Sequence, residues 1–144
     1  MNAPTVFNTN VFQALEDLFG IPDALAVGRA LLRPVPAGCQ LSNDGSTPNT
    51  VIDVAAGIAM SDDQLLLMDI GAFTGTTGGI WATGTGAKKM DTSTAVAANT
   101  WYHVFLIGGG GNTTDILFSL SATAPTLPTG YTKQRRIGSF RTAA

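Results

Sequence analysis

The sequence predicts a mainly β protein, an antiparallel β-sandwich of jelly-roll-like type with a short helical segment at its N-terminus. Three observations carry this. From about residue 50 onward the apolar runs are short, β-branched or aromatic, and separated by Gly, Pro, Asn and Asp. Thr100 to Ile107 (TWYHVFLI) and Asp115 to Ser121 (DILFSLS) flank a glycine-rich tip, the pattern of a β-hairpin. Apolar residues at helical spacing occur only within the first 35 residues.

Residues 1 to 9 carry Pro and Asn without periodicity and are expected to be an extended arm. A helix should follow. Asn10 can cap it, Gln13 sits at capping-box spacing, and Gly20 is placed to end it. Val11, Phe12, Leu15, Leu18 and Phe19 then form one apolar stripe, a candidate surface for docking or for joining sister chains. Ala24 to Leu32 suits a second short helix, weakened by Gly28. Helices this short need something to pack on, whether the domain's own sheet or another subunit. Pro34-Val35-Pro36-Ala37-Gly38 marks a boundary. It divides an arm and helical attachment or oligomerisation segment, residues 1–35, from a β-sandwich domain, residues 36–144.

Within that domain, Thr50 to Val54 is a strand candidate and Asn43-Asp44-Gly45 a turn. Ile58-Ala59-Met60 leads through a polar Ser61-Asp62-Asp63 turn to Gln64 to Ile70, expected as a buried strand. Residues 71–89 are read as loop-rich because glycines recur at 71, 75, 78, 79, 84 and 86. Trp81, set among small residues there, is expected to fasten the core or a subunit contact, and Trp101 is a second candidate for contact. Ala124 to Gly130, punctuated by two prolines, should cross to a final extended run through Arg141.

Composition narrows the function. Charged residues are only 12% of the chain against 44% hydrophobic, so the surface is dominated by Thr, Ser, Ala, Gly and Asn. Such a surface suits either burial against partners or a Thr-rich sheet solvated by hydroxyls. A net charge of −2 argues against nucleic acid. No run approaches the roughly 20 apolar residues of a membrane span. The basic residues Lys133, Arg135, Arg136 and Arg141 alternate with bulky ones, as on a strand whose charges are solvated or ion-paired, with phosphate or glycan contact as the alternative.

Catalytic constellations are missing. His103 is the one histidine and lies mid-strand; Cys39 is the one cysteine, so neither a nucleophile–base pair nor structural zinc is suggested. Gly84-Thr85-Gly86-Ala87-Lys88-Lys89 lacks P-loop spacing, and Gly108 to Gly111 is not followed by a helix. Asp62-Asp63 lacks the ligand spacing of a calcium loop. Asp53, Asp69, Asp91 and Asp115 would matter to glycan hydrolysis only if they met in a cleft. The expectation is a non-enzyme with no cofactor and no metal.

Trp101 to Ile107, Asp115 to Ser119, Pro125-Thr126-Leu127-Pro128-Thr129-Gly130-Tyr131-Thr132 and Arg135-Arg136-Ile137-Gly138-Ser139-Phe140-Arg141-Thr142 together resemble a run in bacteriophage structural proteins, especially tail-fibre and tail-spike components. Ile52 to Gly57 and Trp81 to Gly86 resemble what precedes it, so the resemblance covers about residues 50–142. It implies a virion location after assembly in the bacterial cytoplasm, self-association as a homotrimer, and docking to other virion proteins. A carbohydrate- or host-surface-binding module and a capsid decoration protein are the alternatives. Longer proteins of this kind continue past Arg-Arg-Ile-Gly-Ser, whereas this run stops at Ala144, so a single module is expected.

Overall fold

A computed structural model describes residues 36–92 and 95–144, and among them the protein is mainly β with no helix. The expected helices and the stripe Val11, Phe12, Leu15, Leu18 and Phe19 lie outside the described residues. Val35–Ala144 forms one compact unit. Its strands are β1 Ala37–Gly38, β2 Leu41–Asn43, β3 Val51–Val54, β4 Gly57–Met60, β5 Leu67–Ile70, β6 Phe73–Ile80, β7 Lys88–Met90, β8 Trp101–Gly109, β9 Asn112–Ser119 and β10 Lys133–Arg141. They form a three-stranded sheet, β1-β4-β5, and a seven-stranded sheet, β10-β8-β9-β7-β6-β3-β2.

The larger sheet curls into a nearly closed, barrel-like form. Its two edge strands approach so closely that a Cβ on Gly138 of β10 would lie 2.5 Å from Leu41 Cδ1 of β2. Inside the curl, Tyr102, Val104 and Leu106 of β8 and Ile116 and Phe118 of β9 meet Ile52, Val54, Met68, Ile70 and Met90. Each such side chain contributes about 1.5–3 kcal/mol of burial. Alternation sends Phe105, Ile107 and Leu117 to the opposite face. That face is not left to water: Tyr131 and Leu127 from the proline-punctuated return, with Trp81, pack over it. This two-sided cover explains why Val104 to Ile107 and Ile116 to Phe118 are continuously buried instead of alternating.

The β8–β9 hairpin turns at Gly110-Gly111, whose φ values of 62° and 81° are those that a tight two-residue turn between twisted strands requires. A side chain on Gly110 would also strike the Gly130 carbonyl.

Three expectations are corrected. Residues 71–89 are less loop-rich than expected: β6 fills Phe73–Ile80 and β7 begins at Lys88, so residues 81–87 are the main connection there. Glycines there serve close packing more than turning. A Cβ on Gly75 would sit 2.7 Å from Ile116 Cδ1 and Phe118 Cζ and 2.9 Å from Lys89 Cγ, so the strand can cross the core only with hydrogen there. Gln64 to Ile70 is not one buried strand either. β5 begins only at Leu67, and Leu65 and Leu67 are 65% and 49% exposed. Ser61 Oγ accepts the Leu65 and Leu66 N–H groups, holding residues 61–66 as a turn.

Pairing is also not wholly antiparallel, since β7 lies parallel to both β6 and β9. Parallel neighbours ordinarily need a crossover of roughly a dozen residues or more. Here only residues 81–87 intervene. The chain manages this by folding flat on itself, with Trp81 N donating to Met90 O, Ala82 N to Lys88 O and Gly86 N to Thr74 O.

At the opposite end of the sheet, the 61–63 turn clamps β10. Asp62 N donates to Gln134 O at 2.9 Å, Arg135 lies 3.3 Å from Asp62, and Lys133 pairs with Asp63. The hydrogen bond from Lys133, then that from Ser61, holds the Asp63 carboxyl down at about 2 against an ordinary 3.8. Because the folded value is the lower one, this contact stabilises the fold fully above pH 3.8 and is lost as pH falls through about 2. A carboxyl-detected NMR titration should therefore place the Asp63 midpoint near 2, and Lys133→Ala should move it back toward 3.8. An unmoved midpoint in that variant would contradict the pairing.

Candidate functional site

Among the described residues, chemistry-bearing side chains come together in two places, one buried and one exposed. The buried one is built on the tight 81–87 connection. Lys89 Nζ lies 2.6 Å from Asp115 Oδ1 and donates to Ala82 O at 2.7 Å. Both side chains are out of solvent, at 0% and 3% exposure. The ammonium also lies over two rings, 5.1 Å from the centre of Phe73 and 5.2 Å from that of Trp81. Asp115 Oδ2 accepts Gly84 N–H at 2.8 Å, and Oδ1 accepts Ile116 N–H at 2.6 Å. Trp81 completes the assembly by donating Nε1–H to Ile116 O at 2.8 Å and meeting Tyr131 edge-on at 5.2 Å.

Burial pushes the Lys89 ammonium below its ordinary pKa, while the Asp115 carboxylate pulls the other way. With every polar atom engaged, the pair has neither a free nucleophile nor room for a substrate. What it can do is fasten. Strand β7, the 81–87 connection and β9 are tied at one point, with Trp81 packed against them.

The exposed place is the outer face of β8 and β10. Register pairs Trp101 with Arg141, His103 with Ser139 and Phe105 with Arg136. Trp101 is 57% exposed, Arg141 is exposed beside it, and Ser139 and Arg136 are exposed further along the same face. Among the described residues no ring or cation lies over the Trp101 indole, and neither Arg136 nor Arg141 has a carboxylate partner. The basic cluster thus divides: Lys133 and Arg135 are ion-paired to the 61–63 turn, while Arg136 and Arg141 face outward. Among the described residues Arg136 reaches the Ala122 carbonyl, at 3.5 Å. His103 Nδ1 lies 2.7 Å from Ser139 Oγ. Partial burial first, and then the charge of Arg136, hold this imidazole below its ordinary pKa. The Ser139–His103 contact sits on an open sheet face, without a third residue orienting the ring.

A cleft of about 360 Å³ opens at the seam, lined by Asn43, Ile52, Thr77, Val96 and Phe140 among others. Its lining includes no carboxylate, histidine or cysteine. The aspartates raised for glycan hydrolysis do not gather there: Asp115 is bound to Lys89, and Asp91 accepts the Thr126 N–H. Among the described residues no group of three or more His, Cys, Asp or Glu side chains is placed to hold a metal. Cys39 is buried, and burial raises its thiol pKa.

Sequence reasoning missed the Lys89–Asp115 pair, since Lys89 looked like the end of a failed phosphate loop and Asp115 like a strand start. The available signal was rarity: in a chain so poor in charge, a lysine directly before Met90 and an aspartate opening an apolar strand invite a partner. No family model, curated protein or solved structure matches this chain.

Removing one partner leaves the other buried and unpaired, which typically costs about 3–5 kcal/mol. Asp115→Ala should lose that much in equilibrium urea unfolding. A loss within about 0.5 kcal/mol, as for an ordinary surface change, would mean the pair is not buried as described.

Proposed function

We propose that this protein is a non-enzymatic structural module of a bacteriophage particle, a fibre- or tail-associated β unit that assembles with copies of itself, as a homotrimer, and docks to other virion proteins. The observation that carries the reading is the amount of large apolar side chain left uncovered. Leu65, Leu67, Ile80 and Leu120 are 49–65% exposed on a unit whose core is otherwise closed. Single exposed leucines are ordinary, but four such residues in a chain with so few charges favour surfaces that neighbours cover. The ordered resemblance over residues 50–142 points the same way, and three of the runs that carry it lie on β8, β9 and β10.

In this reading the three- and seven-stranded sheets act as a sandwich-like, jelly-roll-related body. Val11, Phe12, Leu15, Leu18 and Phe19 supply the attachment stripe, and Trp81 supports the body from within. Lys89, Asp115, Lys133, Asp63, Arg135 and Asp62 are committed to ion pairs within the unit. A capsid decoration role would use the same surfaces. Binding of a host-surface carbohydrate is the second reading, favoured by one observation: the exposed indole of Trp101 lies beside Arg141 and on one face with Arg136, and among the described residues neither arginine has a carboxylate partner.

Sedimentation equilibrium of the full chain should give the trimer mass at micromolar concentration, and Phe12→Asp with Leu15→Asp should shift it toward monomer. A wild-type protein that stays monomeric and binds no other virion component would overturn the proposal.

A further inference from the structure

The outer face of β8 and β10 presents a ring, two guanidiniums, an imidazole and a hydroxyl on one rigid surface. The paired register fixes their order: Trp101 beside Arg141, His103 beside Ser139, and Arg136 beyond them. Nothing within the described residues uses the exposed side of the indole or neutralises Arg136 and Arg141. The contrast with the same strand's other cations is informative. Lys133 and Arg135 have aspartates supplied by the 61–63 turn, whereas the two outward arginines have none. An excess of positive charge around an uncovered ring, in a chain of net charge −2, marks a local preference for a negatively charged partner with an apolar face.

We propose that this face binds a carboxylate-bearing saccharide. A pyranose lays the apolar side of its ring on an indole, and its carboxylate accepts the planar, paired N–H groups of an arginine. Trp101 is the platform, Arg141 the partner of the carboxylate on the stacked residue, and Arg136 that of a neighbouring sugar. Ser139 and His103, each fixed by the other at 2.7 Å, supply hydroxyl-directed hydrogen bonds. The surface is open and flat, so it suits a chain of sugars laid across it more than a small molecule enclosed by it. A polyglutamate chain would satisfy the arginines but has no ring to lay on the indole.

This rests on the reading that the chain presents surfaces for binding, and the two can fail separately. The test is calorimetric titration of the full-length protein with three probes: oligogalacturonate, a neutral galactose oligomer, and poly-L-glutamate. Sedimentation is run on the same samples. Binding of oligogalacturonate that weakens at least tenfold in Trp101→Ala and in Arg141→Gln, with little binding of the other two probes, supports the proposal. Equal binding of the neutral oligomer removes the role of the arginines, and equal binding of polyglutamate removes that of the ring; either overturns it. No binding to any probe by a protein that remains trimeric overturns it while leaving the structural role standing. Conversion of Trp101→Ala to monomer also overturns it, by assigning the face to contact between copies. Because Trp101 is largely exposed, its replacement leaves the core intact, and an unchanged melting temperature checks that.

Discussion

The buried pair of Lys89 and Asp115 is the constraint on which the rest of the fold depends. A parallel pairing between β6 and β7 with so short a connection needs the backbone to double back without a helix to absorb the crossing. The connection is held because its own polar groups converge on one charge pair: the Ala82 carbonyl on the ammonium, the Gly84 amide on the carboxylate. Taking two ions out of water is expensive, and a buried pair is often no better than an apolar replacement in net stability. Its value here is positional. Only an arrangement that brings Ala82, Gly84, Phe73, Trp81 and Ile116 together satisfies both ions, so one register of β7 against β9 is selected over its neighbours.

The same fastening point explains how one strand pair comes to be buried on both faces. Trp81, held by Lys89 beneath it and by Ile116 O beside it, meets Tyr131 from the proline-punctuated return. That return therefore lies over Phe105, Ile107 and Leu117 and does not swing free. Beyond the reach of this cover, toward Trp101, the outer face opens to solvent. The boundary between core and candidate binding surface on β8 is thus set by where the 120–132 segment ends its cover.

Much of the β architecture was legible because it is written in local chemistry. Trp101 to Ile107 and Asp115 to Ser119 are aromatic and branched around a glycine tip, and they pair as expected. Strand β6 was hidden in residues 71–89 because glycine has two uses that a sequence does not separate. Gly75 is a strand residue crossed closely by Ile116 and Phe118, contacts that lie far off in the chain. The candidate face was half legible. The basic run and Trp101 were visible, but which arginines are paired depended on the 61–63 turn arriving beside β10. The Lys89–Asp115 contact joins residues 26 apart through a parallel strand that no periodicity announced.

The division of charge gives the functional account its shape: ions inside for fastening, cations and an indole outside for contact. Its central claim, that the buried pair exists to hold the 81–87 connection, is most directly tested by amide hydrogen exchange. The comparison is between wild type and the isosteric apolar double variant Lys89→Met with Asp115→Leu. The account predicts that the Gly84 and Gly86 amides lose protection in the variant while Val104, Leu106, Ile116 and Phe118 keep theirs. Unchanged protection at Gly84 and Gly86 would contradict it, showing that the connection holds its shape without the ions.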